Sequence, residues 1–191
     1  MREIEVKAKI KDKGKLLKKL AELGFVFDSE KHQHDRVYFP NGVEFTGGNI
    51  IGQNVLRIRT EEKNGNKKSM FALKYSASEA LDKIEKEFEI TDTDQMHEVI
   101  LMLGHYLFIE IKKHRMTGKY KDYEICIDEV EDLGSFIEVE KIVEEDVAGD
   151  QILIELDEFL NNLNIDQSDK TIHGYDILMG NLKKKHTNLR Q

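Results

Sequence analysis

The chain has 191 residues, 39% hydrophobic and 35% charged, with a net charge of -8 and one cysteine. That length suits one large domain or two small ones with a core; the acidic balance argues against a nucleic-acid binder, and a lone Cys126 excludes an internal disulfide or a multi-cysteine zinc site. No apolar run approaches the ~18 residues of a membrane span, and charges begin at Arg2, so no signal peptide is read; a cytoplasmic protein with no membrane partner is expected.

Residues 2–10 alternate apolar and charged side chains and predict a strand. Over 12–24 the period becomes helical, with Leu16, Leu17, Leu20 and Leu23 on one side and Gly24 where a helix stops. DRVYF (35–39) predicts a short strand, and 41–49 a glycine-rich loop. The stretches 53–60 and 69–75 predict two strands joined by the turn in KNGNKK. Residues 83–91 alternate again, and a second helix carries Met96, Val99, Ile100 and Leu103 before Gly104. Strands at 106–116, 121–129 and 135–142 and a third helix over 148–163 follow. DILMG (176–180) reads as a short last turn and KKKHTNLRQ as a solvated tail. The succession of strand, helix, Leu-Gly and strand occurs at 2–27 and again about 80 residues later, which suggests two similar halves.

Side chains on a strand alternate between faces. That parity groups Glu3, Glu5 and Lys7; Arg57 and Arg59; Glu85, Glu87 and Glu89; and Glu138 and Glu140. Lys74 and Asp128 likewise stand opposite apolar neighbours. In IEIKKHR (109–115) the pattern is less tidy, because Lys113 and Arg115 share parity with Ile109 and Ile111. An antiparallel sheet with one wet face also alternates. Sorted blocks of like charge repel, however, unless opposite charge lies between or across from them. A sheet curled with its charged faces inward and its apolar faces under helices satisfies both demands. Such a lumen suits a polyanion bound with hard cations: Arg and Lys neutralise phosphate oxygens, and carboxylates hold Mg²⁺ or Mn²⁺.

With these residues the chain resembles the CYTH superfamily, the triphosphate tunnel metalloenzymes. The segments that carry the resemblance are the E-x-E-x-K of Glu3, Glu5 and Lys7, HDRVYF (34–39), LRIR (56–59), LK (73–74), EFE (87–89), KHR (113–115), ICIDEVEDLGSFIEVE (125–140) and GYDIL (174–178). The resemblance implies an α+β fold, a closed antiparallel β-barrel or tunnel with a charged lumen and helices packed outside. It implies one domain over 1–180, with a basic tail at 181–191.

It further implies that Glu3, Glu5, Glu138 and Glu140 bind Mg²⁺ or Mn²⁺. Lys7, Arg57, Arg59, Lys74, Lys113 and Arg115 would grip a triphosphate, Asp128 would sit near the metals as a ligand or an aid in orienting the attacking group, and Glu87 and Glu89 would position basic side chains or a second metal. Glu85 has the least defined role. Family chemistry acts on a triphosphate such as ATP or another organic or inorganic triphosphate. Attack by the ribose 3′-hydroxyl gives a class IV-type adenylyl cyclase; attack by water gives a triphosphatase; a binding module without turnover is a third reading. No nucleic-acid partner is expected, and a homodimer is an option because family members are often dimeric. His32 and His34 read as solvated, His114 as facing away from its basic neighbours, and Cys126 as a small buried side chain.

Overall fold

The computed structural model describes residues 2–76, 83–144 and 147–188. In chain order the elements are β1 (Arg2–Lys9), α1 (Lys13–Glu22), β2 (Ser29–Pro40), β3 (Asn54–Lys63), β4 (Asn66–Ser76), β5 (Lys83–Ile90), α2 (Thr93–Met102), β6 (His105–Tyr120), β7 (Tyr123–Val130), β8 (Gly134–Val143), α3 (Gly149–Asn162), β9 (Lys170–Thr171) and α4 (Tyr175–Asn188). The strands follow the order β5-β4-β3-β2-β6-β7-β8-β1-β9. The ladders β1–β8, β1–β9, β2–β3, β3–β4, β4–β5, β6–β7 and β7–β8 are all antiparallel. The α+β class with an antiparallel sheet and helices is therefore present, and the strand order runs from β5 at one end to β9 at the other.

The chain forms two compact units. Unit 1 comprises Met1–Lys31 and Lys113–Ile172, and unit 2 comprises His32–Lys112 and His173–Gln191. In unit 1 the apolar parity set of β1, β7 and β8 (Ile4, Ala8, Ile125, Ile127, Ile137 and Val139) is buried against Leu16 and Leu20 of α1 and Ile152, Leu156 and Leu160 of α3. Burial of such side chains contributes roughly 1.5–3 kcal/mol each. One face of that sheet is thus closed by helices, and its charged residues must occupy the other. In unit 2, Leu56 and Ile58 of β3 and Tyr38 of β2 pack with Ile100 of α2, joined by Phe71, Leu73, Ile90 and Met96. Buried Tyr38 keeps its hydroxyl satisfied on His97 Nδ1 at 2.9 Å.

The expected duplication is present as topology. β1-α1-β2-β3-β4 is repeated by β5-α2-β6-β7-β8, and exchanging each element for its counterpart reverses the order of those eight strands. The helix ends match. Asp12 and Asp92 each cap the following helix by accepting backbone N–H bonds. Gly24 and Gly104 each leave it at positive φ, 77° and 79°.

The turn in KNGNKK is the two-residue Asn64-Gly65, with both φ angles positive, as a tight hairpin requires. β2 begins six residues earlier than the DRVYF stretch suggests. The added residues are polar, and it is their pairing with β3, from His32 opposite Glu62 onward, that makes them a strand. The segment expected as a short turn and solvated tail is instead helical through Asn188. Gly180 lets this helix approach Phe45 and Phe108, whose ring carbons would lie 2.7–2.8 Å from an added Cβ. Asn181 Nδ2 and Lys184 Nζ then donate to the carbonyls of Gly47 and Phe45. Residues 189–191 of the expected tail lie outside the described residues.

Candidate active site

In unit 1, ladder partners share a face. Register sets Glu5 opposite Glu140 and Lys7 opposite Glu138, Glu124 opposite Glu140 and Cys126 opposite Glu138, and Arg115 opposite Asp128. This charged surface divides into two groups. The first is an ion-pair chain. Lys113 Nζ donates to Asp128 Oδ2 at 2.8 Å. The Arg115 fork meets Asp128 through Nε at 2.7 Å and a terminal nitrogen at 2.5 Å. Arg115 also bonds Glu138, which pairs with Lys7 at 3.0 Å.

The members of this chain are deeply buried, with Asp128 at 0% and Glu138 at 4% exposure. Burial opposes their charge, but Lys7 and Arg115 hold the Glu138 carboxyl well below the usual range, and Arg115 and Lys113 do the same for Asp128. Lys113, the less tidy case by parity, is buried facing Asp128.

The second group is Glu3, Glu5 and Glu140, which bring one oxygen each within 4.8 Å of one another. Burial, the Glu3 carboxylate and Glu124 push the Glu140 carboxyl up to about 9. Crowded anions thus retain a proton. An all-oxygen set of three carboxylates fits a hard divalent cation such as Mg²⁺ or Mn²⁺. Of the four carboxylates that the resemblance assigns to metal, the structure gathers three and places Glu138 in the ion-pair chain instead. Cys126, at 0% exposure, has its thiol pushed up to about 12 by burial and is no nucleophile.

Unit 2 holds the other cations. Arg57 donates to Glu85 at 2.9 Å and to Glu87 at 2.8 Å. Lys74 pairs with Glu85 at 3.1 Å, and its ammonium lies below the usual lysine range because desolvation and Arg57 outweigh Glu85. Arg59 makes a forked pair with Asp35 at 2.6 and 2.7 Å. Glu89 lies against Lys68 at 3.4 Å, not against the arginines.

Arg57 stands on β3 and Glu87 on β5, and the residue between them in register is Ala72 on β4. Its lack of bulk opens the path across the middle strand. Glu85 and Glu87 are 42% and 36% exposed, so these pairs are weakly held. Arg57 Nε is buried and has no hydrogen-bond partner among the described residues.

Sequence parity missed Asp35, Ala72 and Glu124 and undervalued Glu85. Glu85 does have a partner on each side, Arg57 and Lys74. Asp35 stood in the HDRVYF segment without a role, and Glu124 precedes ICIDEV; in both cases only the register reveals the partner. His34, expected in solvent, lies on β2 beside Glu110 at 3.2 Å. His114 turns to Glu30 at 3.4 Å, away from its basic neighbours as expected.

Unit 1 thus gathers three carboxylates of the kind a hard divalent cation takes, and unit 2 carries Arg57, Arg59 and Lys74, each paired with a carboxylate. The CYTH domain family model matches residues 1–175, and the chain belongs to that family. A Methanocaldococcus jannaschii protein named "Putative adenylate cyclase" is 36% identical over 185 residues, covering 94% of this chain and 99% of that one. The solved PH1819 protein of Pyrococcus horikoshii is similar at a TM-score of 0.80 and 26% identity, covering 96% of this chain and 99% of its own. The Hippeastrum protein named "Putative adenylyl cyclase HpAC1", which has a dominant triphosphatase activity, shares the fold at a TM-score of 0.60 and 16% identity over 91% of each chain. No helix among the described residues is long and apolar enough to cross a membrane.

Proposed function

We propose that this protein is a divalent-metal-dependent enzyme acting on a triphosphate, and that its reaction is cyclisation of ATP to 3′,5′-cyclic AMP and pyrophosphate. The observation that carries the first part is the gathering of Glu3, Glu5 and Glu140, one oxygen each within 4.8 Å of one another; Arg57, with contacts to the part-exposed Glu85 and Glu87 and an unused buried donor among the described residues, adds to it. The name of the Methanocaldococcus relative supports the second part.

Glu3, Glu5 and Glu140 would hold the cation. Bound there, a divalent ion supplies charge neutralisation at phosphate oxygens and lowers the pKa of an attacking hydroxyl. Arg57, Arg59 and Lys74 act as phosphate ligands, exchanging Glu85, Glu87 and Asp35 for phosphate oxygens. Lys7, Lys113 and Arg115 would supply positive charge for the charge that develops as the leaving group departs. Asp128 keeps Lys113 and Arg115 in place. In cyclisation the ribose 3′-hydroxyl forms a bond to the α-phosphorus, the bond to the β-phosphate oxygen breaks, and the hydroxyl proton passes to the solvent.

Hydrolysis is the second reading. Arg59 and Glu140 are both present, which fills out the charged set that any triphosphate needs, and HpAC1, which shares the fold, has a dominant triphosphatase activity. Incubation with ATP, tripolyphosphate and thiamine triphosphate, each with Mg²⁺ or Mn²⁺, separates the two. Cyclic AMP with pyrophosphate supports cyclisation, orthophosphate release supports hydrolysis, and tight binding without product overturns the enzymatic reading.

A further inference from the structure

We propose that a second copy of this chain docks on the helix-bearing face of the unit 2 sheet, in a homodimer built on α2 and β5. The internal repeat shows what that face lacks. The β5–β4 ladder reproduces the β1–β8 ladder: Ile84, Lys86 and Phe88 stand opposite Tyr75, Leu73 and Phe71, as Ile4, Val6 and Ala8 stand opposite Lys141, Val139 and Ile137. In unit 1 these positions pack with α3, whose Ile152, Leu156 and Leu160 recur at four-residue steps. Ile4 and Ala8 are 2% and 0% exposed there, and Ile137 and Val139 are buried. In unit 2, Ile84 and Phe88 are 54% and 52% exposed, and Phe71 and Leu73 are only partly buried. The chain places the 14-residue α3 after β8, whereas only six residues separate β4 from β5. Among the described residues, then, Ile84 and Phe88 lack the cover that α3 gives Ile4 and Ala8.

The element that fits this position is a helix with an apolar stripe to spare, and α2 carries one. Its Met96 and Ile100 pack with the unit 2 core. Val99 and Met102, on another side, are 42% and 87% exposed. The equivalent residues of α1 are Lys19 and Glu22, the ordinary choice for a solvated helix face. Apolar residues at these positions in one half of the repeat alone mark a face that something covers. Charge names the occupant. Lys86 sets an ammonium in the middle of the open face, where Val6 stands in unit 1, and Glu98 flanks Val99 on α2. A two-fold axis brings α2 of each copy beside β5 of the other, with Val99 and Met102 on Ile84 and Phe88, and Glu98 against Lys86, twice over.

Sedimentation velocity of the whole chain tests this, with circular dichroism as the check of fold, on the parent, Met102→Glu, Lys86→Glu, Glu98→Lys and the double variant Lys86→Glu with Glu98→Lys. The expected result is a dimeric parent. Met102→Glu should weaken the dimer at least about tenfold, as should either single charge reversal, and the double variant should recover it. All three side chains are exposed, so the variants should keep the parent's circular dichroism. A monomeric parent overturns the proposal and leaves this face to a different macromolecule. A dimeric parent that none of the substitutions weakens also overturns it, because the copies then meet elsewhere. Weakening by both single reversals without recovery in the double variant overturns the pairing of Lys86 with Glu98 and the docking built on it.

Discussion

Glu140 lies directly across the β1–β8 ladder from Glu5, so backbone pairing holds two carboxylates side by side that would separate if free to move. The fold tolerates the arrangement by keeping a proton on Glu140, whose carboxyl is pushed up to about 9. Because the folded pKa lies above the ordinary 4.5, the folded chain binds more protons than the unfolded chain between those values. Stability without metal should therefore fall as pH rises through that window, in proportion to this group. Mg²⁺ or Mn²⁺ at pH 8 should raise the melting temperature, and Glu140→Gln should flatten the pH dependence and abolish the metal effect. Thermal melts across pH, with and without the ion, measure both.

Glu5→Ala should abolish metal-dependent turnover, by at least about a hundredfold if the ion supplies several kcal/mol of charge stabilisation, while circular dichroism stays that of the parent. Glu5 is exposed and packs against no core, so unfolding of this variant would mark the carboxylate as structural.

Arg57→Ala should weaken triphosphate binding by about tenfold or more, since a charged hydrogen-bonded contact contributes roughly 1.5–3 kcal/mol. Ala72→Leu tests the same contact from the neighbouring strand. Its branched side chain would fill the path by which Arg57 reaches Glu87, so binding should weaken although every charge is retained. Calorimetric titration with tripolyphosphate gives both affinities, and parent-like values would remove Arg57 from the site.

Asp128→Asn should cost stability rather than metal affinity. It leaves Lys113 and Arg115 without the carboxylate they share in a buried setting, and breaking such a pair costs about 3–5 kcal/mol. The Asp128 and Glu138 carboxyls are depressed in the folded chain. The stability they contribute is present above the ordinary carboxylate range and lost as pH falls below it. Urea unfolding at pH 7 and pH 3 should show the parent approaching the variant at the lower pH.

The charges of the two halves are not copies of each other. Asp35 pairs with Arg59 between β2 and β3, and Arg115 pairs with Asp128 between the equivalent strands β6 and β7, so the signs are exchanged. Glu5 faces Glu140 between β1 and β8, where Glu85 faces Lys74 between β5 and β4. One carboxylate in place of one ammonium at that equivalent position turns an ion pair in unit 2 into a carboxylate pair in unit 1.

Period-two alternation placed most of the strands, though not the first six residues of β2 or the two-residue β9, and sorted Glu3, Glu5, Arg57, Arg59, Lys74 and Glu138 from their apolar neighbours, because a strand's faces are a local property of the backbone. Asn64-Gly65 and the Leu-Gly helix ends were legible for the same reason: positive φ selects its residues locally. Partnership was not legible. Whether Glu138 joins the carboxylate group or the ion-pair chain, whether Glu124 meets Glu140, and whether Arg57 passes over Ala72 depend on which strands lie side by side and in what register. α4 was hidden likewise, since a lysine-rich stretch announces no helix by itself; Gly180 against Phe45 and Phe108, the buried Tyr175, Ile177 and Met179, and the bonds from Asn181 and Lys184 hold it on the protein. Local sterics decide which way a side chain points; long-range pairing decides what it meets.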